Sequence, residues 1–420
     1  MSVKLDSTKA KIVLMRVYHA LRLIYHENIM LKIFPKIFLP VCICFYGCHN
    51  SENIHDYKES TAHTQFVDIS KTEESGLNST LNQFFDSWRI IQLETNKNCL
   101  IGKIEKIIVQ PDRLYIMDSN IAESVFIFDR EGNWINTIHR KGRGPGEYVD
   151  FTDIEYDMNT QQICMLCGTK IMIFDRDGAY LSSVNVAFVP EKISIVDDCF
   201  VISTIVRKLP KFTSDLIICD KNFKVVNQYF PRPKEWNSMS SRSGSPLSTF
   251  QSNIYYFPGN NTYVYNITKD SATAKYWYDF GNYNLIEKLK APMHTRELVA
   301  AKQRYVNDLS FFQETDQYFI ISVILKGRNI LIFHSKENQQ ITSYYLHNHP
   351  FVSRGFGRIE GITKDYVITS IDADVALQSI QDENGWFKEK NPEGWEFYKN
   401  QFKRPLKEDD NPVLYFFKLK

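Results

Sequence analysis

One stretch of this chain constrains everything else, because the chain writes it repeatedly. Val125-Phe-Ile-Phe-Asp-Arg-Glu-Gly132 returns as Ile171-Met-Ile-Phe-Asp-Arg-Asp-Gly178, an apolar run meeting Asp, two polar residues and Gly. Weaker copies are Leu216-Ile-Ile-Cys-Asp-Lys-Asn-Phe223, Thr262-Tyr-Val-Tyr-Asn-Ile-Thr-Lys269 and Asn329-Ile-Leu-Ile-Phe-His-Ser-Lys336. Aligned on Asp129, Asp175, Asp220 and Asn266, the steps are 46, 45 and 46 residues; His334 follows after 68, and Pro412-Val-Leu-Tyr-Phe-Phe-Lys418 is a sixth copy. Repeats of about 40–50 residues built from short strands read as blades of a β-propeller. Six copies predict an all-β, six-bladed propeller of four-stranded antiparallel blades.

Blade one reads as four strands near Lys103–Val109, Arg113–Asp118, Ser124–Phe128 and Trp134–Ile138, separated by Pro-Asp, Asp-Ser-Asn and Arg-Glu-Gly turns. The Asp-x-x-Gly element fits a hairpin turn whose Gly takes positive φ. An orphan β-rich run, Trp88–Leu93, precedes the first blade. It is expected beside Val413–Leu419 as the outer strand of blade six, closing the ring without a free seam. Leu285–Tyr305 has helical spacing and predicts an inserted helix; Asp372–Asn411 is a long polar and aromatic insertion in blade six.

Residues 1–47 read as an upstream segment plus an export signal, with Met30 as the expected start. Lys32 and Lys36 precede an apolar run from Ile37 to Tyr46, the layout of a secretory signal. Ten apolar residues cannot cross a ~30 Å hydrocarbon layer as a helix. The Gly47-Cys48 ending resembles a bacterial lipobox, which makes Cys48 the expected lipidated first residue; plain cleavage is the alternative. Residues 48–76 are polar and expected to be a flexible tether, with the propeller spanning 77–420.

Charge points to no nucleic-acid partner. The whole chain is at +1, and beyond residue 47 it carries 43 basic against 47 acidic residues. Cys164-Met-Leu-Cys167 lies on a predicted strand, where positions i and i+3 face opposite ways, so it reads as buried cysteine rather than a metal or redox pair. Gly142-Arg-Gly-Pro-Gly146 lacks the spacing and βαβ setting of a dinucleotide loop and reads as a tight crossover between blades. No nucleophile elbow, metal-spaced His pair or phosphate loop is present, so no cofactor is expected.

Leu93-Glu-Thr-Asn-Lys, Ile101-Gly-Lys-Ile, Gly142-Arg-Gly-Pro-Gly-Glu-Tyr148, Gly357-Arg-Ile-Glu-Gly361 and Asn411-Pro-Val-Leu-Tyr-Phe-Phe-Lys418 together resemble the bacterial six-bladed β-propeller lipoproteins, relatives of NHL-type propellers in Gram-negative anaerobes. The resemblance covers about residues 77–420 plus the signal. It implies an exported, membrane-anchored propeller in the cell envelope, and it supplies no substrate and no catalytic residues.

In a four-stranded blade, the second-to-third loop and the blade-to-blade crossover leave at one end. Every large irregularity of this chain falls there, and elaborated loops on a rigid scaffold are where binding usually resides. The expectation is therefore a binding or scaffold module, a monomer that presents this face to a glycan, peptide or protein. The alternative is a propeller hydrolase or lyase acting in the central channel, but the inner strands bring no His. The same topology puts Arg140, Lys141, Arg143, Arg328, Arg354 and Arg358 on the loop face, which makes an anionic partner a candidate. Arg143 and Arg358 are the expected anchors, since Arg holds carboxylate or sulfate with paired donors.

Overall fold

Ser124–Phe128 is buried at every position, and its side chains alternate between two packing partners. Val125 and Ile127 join Ile154, Met165 and Phe174, whereas Phe126 and Phe128 join Ile91, Ile368 and Phe416. A strand buried on both faces reads as a continuous apolar run, which explains why the repeat lacks polar alternation. Each such side chain stabilises the fold by roughly 1.5–3 kcal/mol on leaving water.

The computed structural model describes residues 54–55, 59, 61–74, 84–196, 198–204, 214–231, 245–259, 261–285, 300–301, 303–345, 359–381, 388–389 and 392–420. Strands β1 (Ile54–His55), β2 (His63–Phe66), β3 (Glu73–Glu74) and β4 (Phe85–Gln92) precede the first blade. Blade one holds β5 (Lys106–Val109), β6 (Leu114–Asp118), β7 (Ser124–Phe128) and β8 (Trp134–Ile138). Blade two holds β9 (Asp153–Asp157), β10 (Gln162–Cys167), β11 (Lys170–Asp175) and β12 (Tyr180–Asn185). Blade three is β13 (Pro190–Val196), β14 (Cys199–Thr204), β15 (Ser214–Asp220) and β16 (Val225–Pro231). Blade four is β17 (Leu247–Phe250), β18 (Asn253–Tyr256), β19 (Tyr263–Ile267) and β20 (Ala272–Asp279). Blade five is β21 (Leu309–Glu314), β22 (Tyr318–Leu325), β23 (Arg328–Ser335) and β24 (Ile341–Tyr345). Blade six is β25 (Ile359–Ile362), β26 (Tyr366–Ile371) and β27 (Val413–Leu419), completed by β4 from the other end of the chain.

The closure follows the sequence expectation: β4 runs antiparallel to β27 as the outer strand, with Leu414 opposite Ile91 and Phe416 opposite Arg89. Apolar clusters join each blade to the next, including one that packs Ile91, Leu414 and Phe416 of blade six on Ile107 and Ile116 of blade one. Six blades therefore form a closed ring. Cys164 and Cys167 behave as the strand period requires, one entering the cluster with blade three and the other the cluster with blade one.

The segment expected to be a free tether is paired at its described residues. β1 adds parallel to β16, β2 to β20 and β3 to β24, so blades three, four and five each gain a fifth, outermost strand. Isolated apolar pegs drop from this strap into the grooves between blades. Ala62 packs between three and four, Val67 and Ile69 between four and five, and Phe84 between five and six, stacked 3.7 Å from the Phe333 ring. A polar segment needs no core of its own when it lends its backbone to open sheet edges.

The Asp-x-x-Gly turns form as expected. Asp129 Oδ1 accepts from the N–H groups of Glu131 and Asn133, and Asp175 Oδ1 accepts from Asp177 and Ala179. Gly132 and Gly178 take φ of 88° and 89°; in blade three Phe223 takes the same place at 60°. Blades four and five shift the motif. The capping hydroxyls are Thr268 and Ser335, two residues and one residue beyond Asn266 and His334, since both strands run one residue past the aligned position.

The polar and aromatic insertion in blade six folds into two helices, α1 (Ala373–Gln381) and α2 (Pro392–Asn400). Ala376 and Tyr398 pack on Ile90, Val413 and Tyr415, so the helices lie against blade six itself. Most of 285–305 lies outside the described residues; residues 300 and 301 are helical, and Leu285 N donates to Val306 O at 2.9 Å, closing the excursion at its base.

Candidate functional site

Three loops meet above blade one, and each is held by a carboxylate. Asp118, 0% exposed at the end of β6, accepts from the N–H groups of Gly102, Lys103 and Ile121 at 2.8–2.9 Å. It thereby ties the crossover from blade six to the loop after its own strand. These two loops touch: a Cβ on Gly102 would collide with Ile121. Glu105 adds bonds from Ser119 and Asn120; burial works against its charge, yet those bonds hold its carboxyl below the usual value.

The crossover from blade one to two, Gly142-Arg-Gly-Pro-Gly-Glu-Tyr148, is built around Glu147. Its carboxylate accepts from Gly144 N at 2.7 Å and fills the space a side chain on Gly142 would need. Gly146 takes φ +73° against the Tyr180 ring. Tyr148, 1% exposed, donates to Glu123 O at 2.7 Å and so joins this loop to the other two. The motif is the tight crossover that its composition suggested, and it makes a preorganised surface rather than a mobile one.

On that surface Leu100, Ile121 and Val149 are 55%, 63% and 52% exposed. Of nine large apolar side chains exposed among the described residues, five fall on the loop end: these three with Tyr283 and Ile324; Phe397 stands edge-on to Trp88 on the outer strand of blade six. Sequence reasoning ranked this face by its basic residues and missed the apolar ones; Ile121, alone in Asp118-Ser-Asn-Ile-Ala-Glu123, was legible there, whereas Leu100 and Val149 have apolar or aromatic neighbours that hide them.

The basic residues fare differently from one another. Arg140 donates from Nε to Gly146 O at 2.8 Å and lies over the Tyr180 ring, so it staples the loop. Lys141 pairs with Glu123. Arg328 stacks 3.8 Å over Tyr345 on blade five, opposite blade two in the ring. Arg143 is exposed on the crossover that leads to Val149. Arg354, Arg358 and Cys48 lie outside the described residues.

At the axis, the inner strands bring together a charged group that the sequence reading did not assemble. Lys106 on β5 donates to Asp153 at 3.2 Å, Glu155 at 3.1 Å and Ile154 O at 2.6 Å; Lys192 on β13 donates to Thr152 O at 3.0 Å and lies 3.8 Å from Asp153. Burial opposes the Lys106 charge, but Asp153 and Glu155 outweigh it and raise its pKa; burial, with Asp153 alongside, raises Glu155 despite Lys106. Two lysines facing two carboxylates satisfy one another and bind blades one, two and three at the centre. The signal was charge at the inner-strand positions Lys106, Asp153, Glu155 and Lys192. Among the described residues no group of three or more His, Cys, Asp or Glu side chains is placed to hold a metal ion.

Closed ring, mixed-terminus blade and clamped loop face together define a six-bladed β-propeller. The chain belongs to the family described as Domain of unknown function (DUF4934), whose model matches residues 64–418. No curated protein matches it. Among solved structures, it is similar to a Bacteroides fragilis protein inferred to be exported, at 16% identity and a TM-score of 0.67, covering 85% of this chain and 99% of that one. BamB from Moraxella catarrhalis aligns at 13% identity and a TM-score of 0.37, covering 61% of this chain and 68% of that one. A Bacteroides caccae protein of unknown function aligns at 8% identity and 0.35, covering 61% and 93%. At 16% identity the likeness to the Bacteroides fragilis protein concerns the fold alone.

Proposed function

We propose that this chain is an exported binding protein, tethered to a membrane of the cell envelope by lipid on Cys48, whose loop face docks a partner protein over blade one. The observation that carries this reading is the exposure of Leu100, Ile121 and Val149 on three mutually clamped loops, one of which also exposes Arg143. Exposed apolar groups on a rigid surface, rimmed by charge, are the anatomy of a protein interface. Arg143 supplies the paired donors for an acidic group on that partner. The basic n-region, the apolar run Ile37–Tyr46 and Gly47-Cys48 support export and lipidation, as does the exported standing inferred for the Bacteroides fragilis neighbour. No described helix is long and apolar enough to cross a membrane.

Two measurements test it. A photo-crosslinking residue at Val149 should yield a discrete adduct in cells, whereas one at Met158, on the hairpin end, should not. Equal labelling at both positions, or none at Val149, would refute the docking face. Cys48→Ala should move the protein from the membrane to the soluble fraction; unchanged partitioning would refute the anchor.

A further inference from the structure

The outer wall carries a second recessed surface, between the strap and blade five. A groove of about 490 Å³ lies between the end of β2 and the start of β24, within the roughly 300–1,000 Å³ of small-ligand sites. Gln65, Phe66, Asp68 and Lys71 line one side; Gln339, Gln340 and the β24 residues 341–343 line the other. Its charge cancels, because Lys71 pairs with Asp68 at 3.3 Å and the other lining side chains are neutral. Gln339 is already committed, to His334 and to Lys336 O. The side-chain amides of Gln65 and Gln340 have no partner among the described residues, and Phe66 is 62% exposed beside them.

We infer that this groove binds a short neutral oligosaccharide. An amide offers an acceptor and two donors to neighbouring hydroxyls, and an exposed ring offers an apolar face to the C–H side of a sugar. A charged ligand finds no uncompensated charge here. An extended peptide finds little edge to join, since β3 already takes Tyr344 and Tyr345 and leaves three residues of β24 facing the groove. The site is independent of the blade-one face, being on the wall between blades four and five.

The test is an array of neutral glucan, mannan and xylan oligosaccharides probed with the purified propeller, alongside an array of extended peptides. The best-retained saccharide is then titrated by calorimetry. Wild type should retain at least one neutral saccharide, Phe66→Ala should weaken it about tenfold or more, and Gln340→Ala should also weaken it. Arg143→Ala should leave it unchanged, which separates this site from the loop face. Phe66 is a surface side chain, so its variant should melt as wild type does. Retention of no neutral saccharide, equal retention by Phe66→Ala and Gln340→Ala, or retention of peptides in place of sugars overturns the inference.

Discussion

Replacing Asn411 with alanine should loosen the seam of the ring. Asn411 is 3% exposed at the entry to β27, and its side chain serves three backbone groups of the crossover that follows β4. Oδ1 accepts from Ile101 N at 2.8 Å, while Nδ2 donates to Glu94 O at 2.7 Å and Cys99 O at 2.5 Å. Alanine abolishes all three and leaves only the bond from its own N–H to Thr95 Oγ1. Cys99 is 0% exposed, so water has little access to replace them. Ile101 N and Cys99 O lose their partner and Glu94 O keeps only the weak Cys99 thiol donor at 3.2 Å; at about 1–3 kcal/mol for a buried polar group without a partner, the loss is about 3–5 kcal/mol. With an unfolding entropy of ~2.1 cal/mol/K per residue over roughly 340 residues, the midpoint should fall by about 4–7 °C. Scanning calorimetry reads the shift, and hydrogen exchange should quicken first in residues 85–105 and 413–419. A fall below about 1 °C, or quickening spread evenly over the blades, would refute the view that this side chain locks the two chain ends together.

Three further outcomes are expected. Gly146→Ala should cost roughly 1–2 kcal/mol, because its φ of +73° disfavours a Cβ and that Cβ would stand 3.0 Å from Tyr180; an unchanged melting curve would contradict it. Lys106→Met should destabilise by roughly 3 kcal/mol by leaving the fully buried Asp153 without its closest cation, as read by urea unfolding. His334, 0% exposed between Tyr278 and Gln339, has its pKa lowered by burial against the opposing Gln339 bond, so the unfolded chain takes up its proton first. Stability should be full above the ordinary histidine value of 6.5 and fall as pH drops below it, and His334→Gln should remove that component of the slope.

The repeat was legible because Val125–Phe128 of β7 and Ile171–Phe174 of β11 are buried on both faces and are apolar at every position. The closure was legible for a related reason: Trp88–Leu93 is too apolar to stand free. The strap was not. A segment that adds only backbone to a sheet edge needs one apolar residue per groove, and Ala62, Val67 and Ile69 make no period. The helices α1 and α2 were hidden by their shortness, nine residues each, and by the few side chains they bury, Ala373 and Ala376 in one and Trp395 and Tyr398 in the other. At the loop face the basic residues drew attention that Leu100, Ile121 and Val149 merited. Sequence shows that an arginine is in a loop, but not that Gly146 and Tyr180 have already engaged it.

The strap also sets an order of events for a chain that emerges from its N-terminus. β1, β2 and β3 are made first, yet their partners β16, β20 and β24 come well over a hundred residues later, and β4 waits for the last strand of all. Contacts so distant in sequence are slow to form, because the closure entropy must be met before any of them stabilises the chain. The leading residues therefore stay unpaired until each blade is complete, and β4 is paired only once β27 has been made. No intermediate length of this chain is a smaller version of the whole, and a truncation at either end is felt at the other.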